Sequence, residues 1–178
     1  TDYGDLMQQS FVEIARVLKA SGTAVLAFSN SDDAVWQCVQ SSLTGAGFDT
    51  EAVHILSKGQ PSIKGVKGRS GKENVTTYDL LLRLKHRTFS QTKRVAAELP
   101  ANIIDRVIEE ALTGEPRATD EIYSAVVRAA LAGDYSVAGI TMPSIAARCA
   151  NIGTKAADGK WTRKPAPDQC DYVAGYLR

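Results

Sequence analysis

The residues best equipped to do chemistry lie in Gln60-Pro-Ser-Ile-Lys-Gly-Val-Lys-Gly-Arg-Ser-Gly-Lys72, where the cations Lys64, Lys67, Arg69 and Lys72 alternate with glycines. Glycines let the backbone approach a polyanion closely, and Lys and Arg neutralise phosphates without reading sequence. Each phosphate contact steepens the logarithmic salt dependence of binding by about 0.9, and one or two such contacts are expected here. The same composition also suits an insertion whose charge only keeps it solvated. A second candidate is Ser29-Asn30, which follows the short apolar run Thr23–Phe28. Ligands of open α/β sheets bind outside the carboxyl ends of the strands, so Ser29 and Asn30 would border a pocket. In the competing reading Asn30 and Asp32 are turn and cap residues. A metal site is not expected, because His54 and His86 are the only histidines and Cys38, Cys149 and Cys170 form no Cys-x-x-Cys pair.

The elements that must position these residues follow from periodicity. Met7, Phe11, Ile14 and Leu18 fall on one face of a helix running from Asp5 to Lys19, and Ala20-Ser21-Gly22 stops it. The continuous apolar run Thr23–Phe28 suits a central strand covered on both faces. Val35, Val39 and Leu43 define a second helix from about Asp33, which Gly45-Ala-Gly47 ends. Val53–Leu56 and Thr77–Lys85 are further strands, and the long loop 57–76 joins them. Beyond Arg87 the pattern turns helical over Asn102–Leu112, Asp120–Ala132 and Pro143–Ala150, with Asn102 and Thr119-Asp120 as candidate N-caps. Gly153–Pro167 suits either a wing-like hairpin or a plain loop. A boundary near 87–101 therefore divides an α/β part, 1–87, from a mainly helical part, 88–178, with a winged-helix-like arrangement as one possibility.

With 44% hydrophobic and 23% charged residues, the chain has the composition of a globular domain. Its apolar runs are far shorter than the roughly 20 residues that span a bilayer, so no membrane segment is expected. An odd number of cysteines without a signal peptide points to a reducing cytoplasm. The net charge of +1 conceals segregation: 57–94 holds ten basic and two acidic residues, while 1–56 holds two and seven. A basic segment between acidic ones is the pattern of a region that meets a polyanion. Because the chain starts at Thr1 and not at Met, it is expected to be a truncated form.

The stretch Phe11-Val-Glu-Ile-Ala-Arg-Val-Leu-Lys-Ala-Ser-Gly-Thr-Ala-Val-Leu-Ala-Phe28 resembles the segment that follows the catalytic strand in class I S-adenosylmethionine-dependent methyltransferases, F-x-E-x-x-R-V-L-K-P-G-G and then an apolar strand. Ala20-Ser21-Gly22 departs from the usual Pro-Gly-Gly but keeps its small residues. The likeness continues through Ala34-Val-Trp36, Ala46-Gly-Phe48 and Tyr78–Leu84, and covers about residues 5–86. The subgroup it looks most like is the amino-methylating DNA methylases, with their long insertion before the final strand.

The resemblance implies the C-terminal part of a class I (Rossmann-like) methyltransferase sheet, with S-adenosylmethionine as cofactor and DNA as partner. It also implies that catalytic residues lie upstream of Thr1 and that this fragment is inactive alone. Neither a Gly-rich strand-to-helix turn nor an Asp-Pro-Pro-Tyr or Asn-Pro-Pro-Tyr tetrapeptide is present. Gly65, Gly68 and Gly71 sit among lysines between two strands and do not open a helix. The rival readings are an RNA or small-molecule methyltransferase, because the R-V-L-K turn does not identify the acceptor, and a non-catalytic nucleic-acid-binding module.

Overall fold

The first helix shows why this sequence folds as it does: Met7, Phe11, Ala15 and Leu18 share one face and pack into the core, and Phe11 is buried. The computed structural model describes residues 3–57, 78–87 and 97–164. Helix α1 spans Tyr3–Val17. Its exit is tight, with Gly22 N donating to Lys19 O, and a Cβ on Gly22 would stand 2.8 Å from that carbonyl. This close approach is the physical reason for the small residues of the turn. Strand β1 follows at Thr23–Phe28, as the apolar run predicts.

Helix α2 occupies Asp33–Gly45 and is capped by Asp32, whose Oδ1 accepts from Ala34 N at 2.9 Å. Gly47, at φ +84°, turns the chain into strand β2, Phe48–Ser57. Strand β2 is much longer than Val53–Leu56 because a bulge at Thr50/Ala52 lets its first half pair as well. Strand β3 covers Tyr78–His86.

The sheet order is β1-β3-β2, and β3 is antiparallel to both neighbours. Two expectations are corrected here. Strand β1 is an edge strand among the described residues, not a central one, and one of its faces is open: Val25 is 66% exposed. The hydrogen-bonded pairs within the sheets are antiparallel, in place of parallel ones, because β3 comes between β1 and β2. Since both flank β3 antiparallel, β1 and β2 themselves run in the same direction, with α2 as their crossover.

Strand β3 sorts its side chains by face. Leu80, Leu82 and Leu84 are buried, opposite Phe28, Leu26 and Ala24 of β1, whereas Arg83 and Lys85 point to the open face. There Glu51, on the bulge, pairs with both Arg83 and Lys85. Its carboxyl is held below the usual carboxylate range, chiefly by the Lys85 hydrogen bond.

The remaining elements are α3 (Ala101–Ala111), α4 (Thr119–Ala132), α5 (Met142–Ile152) and a hairpin of β4 (Gly153–Lys155) and β5 (Trp161–Arg163). Asn102 lies inside α3 and is not its cap; Pro100 holds that position, and its carbonyl accepts from Ile103 N and Ile104 N. Likewise Ala118 is the N-cap of α4, and Glu121 Oε2 accepts from its backbone N–H at 2.8 Å. Helix α5 follows the cap Thr141, whose side chain accepts from Ser144 N, and Pro143 stands in its first turn.

Helix α4 is apolar on nearly all sides, burying Ile122, Tyr123, Val126, Val127, Ala130 and Leu131. Such a helix must be covered all round. Accordingly it packs on β2 and β3 and also on α3 and α5. One contiguous set of buried residues therefore runs from Phe11 to Trp161, and the change of composition after Arg87 marks no break in the core. Arg117, between α3 and α4, pairs antiparallel with Trp161, which ties the hairpin to the helices as a single-residue third strand. The protein is thus a mixed α/β structure with antiparallel sheets and helices that cover one face of the larger sheet.

Candidate functional site

The carboxyl end of β1 is where sequence placed a pocket edge, and it carries a side-chain network linking the sheet to the helices. Ser29 Oγ donates to Tyr78 O at 2.8 Å, joining the end of β1 to the start of β3. Asn30 Oδ1 accepts from Asp32 N at 2.8 Å, closing a turn ahead of α2. The Asn30 carbonyl accepts from Trp36 Nε1 at 2.9 Å and from Tyr123 OH at 3.5 Å. Trp36 in turn meets the Phe28 ring edge-on at 4.9 Å. Asp33 Oδ2 accepts from Gly139 N, and this bond fixes the loop before α5 against the first turn of α2.

Tyr78 extends the network to α4: its hydroxyl donates to Glu121 Oε1 at 2.6 Å, and Arg117 stands 3.9 Å from the same oxygen. Burial first, and then this hydrogen bond, push the Tyr78 phenol up to about 12. Tyr123 is raised as well, by burial and then by the negative charges of Asp33 and Asp32. Both phenols consequently stay protonated at neutral pH and act as donors, not as bases. Burial also raises the Cys149 thiol to about 11, which leaves it an inert core group.

Ser29 and Asn30 thus act at this edge as turn and tether. Asp32 is the cap that the competing reading of this segment gave. Ser29 Oγ, Asn30 Oδ1 and the Asn30 carbonyl each take part in a hydrogen bond within the chain, and no Gly-rich turn opens α2. Among the described residues no group of three or more His, Cys, Asp or Glu could hold a metal ion, and no helix is long and apolar enough to cross a membrane.

Lys64, Lys67, Arg69 and Lys72 lie outside the described residues. Their anchor points do not: Ser57 pairs with Tyr78, and Tyr78 is bonded to Ser29. The cationic segment therefore leaves and rejoins the sheet at the edge that holds Ser29 and Asn30. Periodicity did not reveal the Tyr78–Glu121 link, which spans 43 residues. Its one local signal is Glu121 standing three residues after the cap Ala118, a spacing that accounts only for the backbone bond. Comparison of the chain with protein-family models, with curated proteins and with solved structures gives no match.

Proposed function

We propose that this chain is the C-terminal part of a DNA methyltransferase that transfers a methyl group from S-adenosylmethionine to an exocyclic amino group of adenine or cytosine. In this reading the cofactor site and the catalytic groups lie outside the chain, and the chain alone is inactive. Its contribution is the far end of a Rossmann-like sheet and a cationic segment that holds the DNA backbone. Amino-group methylation in a duplex requires the base to leave the stack, and a strand so distorted must be gripped.

The observation that carries the reading is the combination of three features in one sheet. The Phe11–Phe28 unit folds as helix, small-residue turn and strand. Strands β1 and β2 run in the same direction, with α2 between them. The segment bearing Lys64, Lys67, Arg69 and Lys72 lies between Ser57, at the end of β2, and Tyr78, which pairs with Ser57 and accepts a hydrogen bond from Ser29 at the carboxyl end of β1. The edge beyond β1 has no strand among the described residues, and there the rest of such a sheet would join.

The test is methyl transfer from labelled S-adenosylmethionine to duplex DNA, by this chain and by the chain extended upstream of Thr1. The extended protein is expected to label DNA, and the chain alone to bind no cofactor. An extended protein that binds S-adenosylmethionine but labels RNA or a small molecule would change the acceptor. One that binds none would leave the non-catalytic nucleic-acid-binding reading.

A further inference from the structure

Charge in the C-terminal helices is sharply divided. Residues 97–141 carry eight acidic and three basic groups, whereas 142–164, which form α5 and the β4–β5 hairpin, carry five basic groups against the single acid Asp158. Two of the five are neutralised within the chain: Arg148 pairs with Asp105 at 2.7 Å and Arg163 with Glu109 at 3.2 Å. Of the other three, Lys155 and Lys164 meet neutral partners. Lys155 Nζ lies 5.3 Å from the centre of the Trp161 ring, and Lys164 Nζ donates to the Ala150 and Asn151 carbonyls at the end of α5. Lys160, at the hairpin tip, is exposed, and only its backbone N–H bonds to Asp158. These contacts fix the positions of Lys155 and Lys164 without cancelling their charge.

The outward side of α5 is unusual in a different way. Pro143, Ala147, Ala150 and Asn151 fall within one narrow arc of the helix and are exposed, and none is charged or long. Met142, Ile145 and Cys149 on the opposite side are buried. A helix surfaced with small residues allows its backbone to approach a partner closely. The adjoining hairpin sets Lys155 and Lys160 beyond its C-terminal end.

We infer that α5 and the hairpin form a second nucleic-acid contact, in which α5 enters the major groove of duplex DNA while Lys155, Lys160 and Lys164 sit on the phosphates. The major groove of B-DNA, about 12 Å wide, admits an α-helix, whereas the deep, narrow groove of A-form RNA does not. Arg148 does not read bases, because its guanidinium is held by Asp105, and Asn151 is the one exposed amide on the outward arc. Binding is therefore dominated by phosphates and has little sequence preference. The inference is independent of methyl transfer and adds a contact distinct from the segment of Lys64 to Lys72.

The experiment is fluorescence anisotropy of a labelled DNA duplex with the full chain, in a background where Lys64, Lys67, Arg69 and Lys72 are changed to Gln. Residual binding is expected, with a logarithmic salt slope of about 2 to 3 from two or three phosphates. K155E/K160E in that background is expected to weaken binding at least roughly tenfold and to flatten the slope by about 1.8. K160E alone, at an exposed turn, repeats the test without disturbing Trp161. A147D, on the exposed arc, is expected to weaken binding by a similar factor while circular dichroism stays unchanged. Binding unaffected by K155E/K160E and K160E would overturn the proposal. So would A147D binding as well as its parent, or A-form RNA binding as tightly as DNA. None of these outcomes bears on labelling by the upstream-extended protein, so this inference and the methyltransferase reading fail separately.

Discussion

Tyr78 is the residue where sheet, helices and candidate edge meet. Its phenol is raised from 10 to about 12 by burial and by Glu121, so the folded state holds the proton more tightly than the unfolded chain. A group of this kind contributes stability that is complete below pH 10 and lost as pH rises from 10 toward 12. Denaturant midpoints are therefore expected to fall in that window, and Tyr78→Phe is expected to lessen the fall without abolishing it, since Tyr123 is raised too. At neutral pH the same substitution removes a donor from a partly buried carboxylate, at a cost of about 1–3 kcal/mol by chemical denaturation. Trp36 is more costly to lose. It is 2% exposed, packs on Phe28 and bonds to the Asn30 carbonyl, so Trp36→Ala is expected to cost about 3–5 kcal/mol.

At the scale of elements, the larger sheet has two unlike faces. Leu82, 1% exposed at the centre of β3, should cost about 2–5 kcal/mol as Leu82→Ala. Val25, paired with Arg83 on the open face, should tolerate Val25→Thr within about 0.5 kcal/mol in this chain. Equal losses at the two positions would mean that the second face is covered after all. The small hairpin depends on Gly153, where a Cβ would stand 2.6 Å from Thr162 O and 3.0 Å from Leu112. Gly153→Ala should thus loosen β4 from β5, at about 1–3 kcal/mol, and expose Trp161 to collisional quenchers. The elements themselves were largely legible, because helical and two-residue periods arise from local geometry. Strand β1 and helices α1, α2, α4 and α5 lie within two or three residues of where spacing put them. The start of β2 was not legible, because Phe48–Ala52 pairs with β3 only across a bulge, and bulges have no local signature in this segment. The caps of α3 and α4 were misplaced by one or two residues because Asn102 and Thr119 are cap formers by type. Thr119 instead accepts a hydrogen bond from Trp161 Nε1.

For the molecule as a whole, the shared core from Phe11 to Trp161 predicts a single unfolding event. The two tryptophans stand at opposite ends of the chain order, Trp36 on the sheet side and Trp161 in the hairpin. In the unsubstituted chain, tryptophan fluorescence and far-ultraviolet circular dichroism are expected to give the same denaturation midpoint, and separated midpoints would show two independently stable parts. The sequence by itself determined the local elements, the segregation of charge and the scarcity of metal ligands. All three depend only on residue type and near-neighbour spacing. Tertiary structure alone decided that β3 intercalates between β1 and β2, that α4 seals both the sheet and the helices, and that Ser29, Asn30 and both ends of the cationic segment share one edge. It also decided that Arg148 and Arg163 pair with acids of α3 while Lys155 and Lys164 meet neutral groups. Those facts rest on pairings between residues tens of positions apart, set by which apolar faces can be buried together, and no short window of sequence encodes that choice.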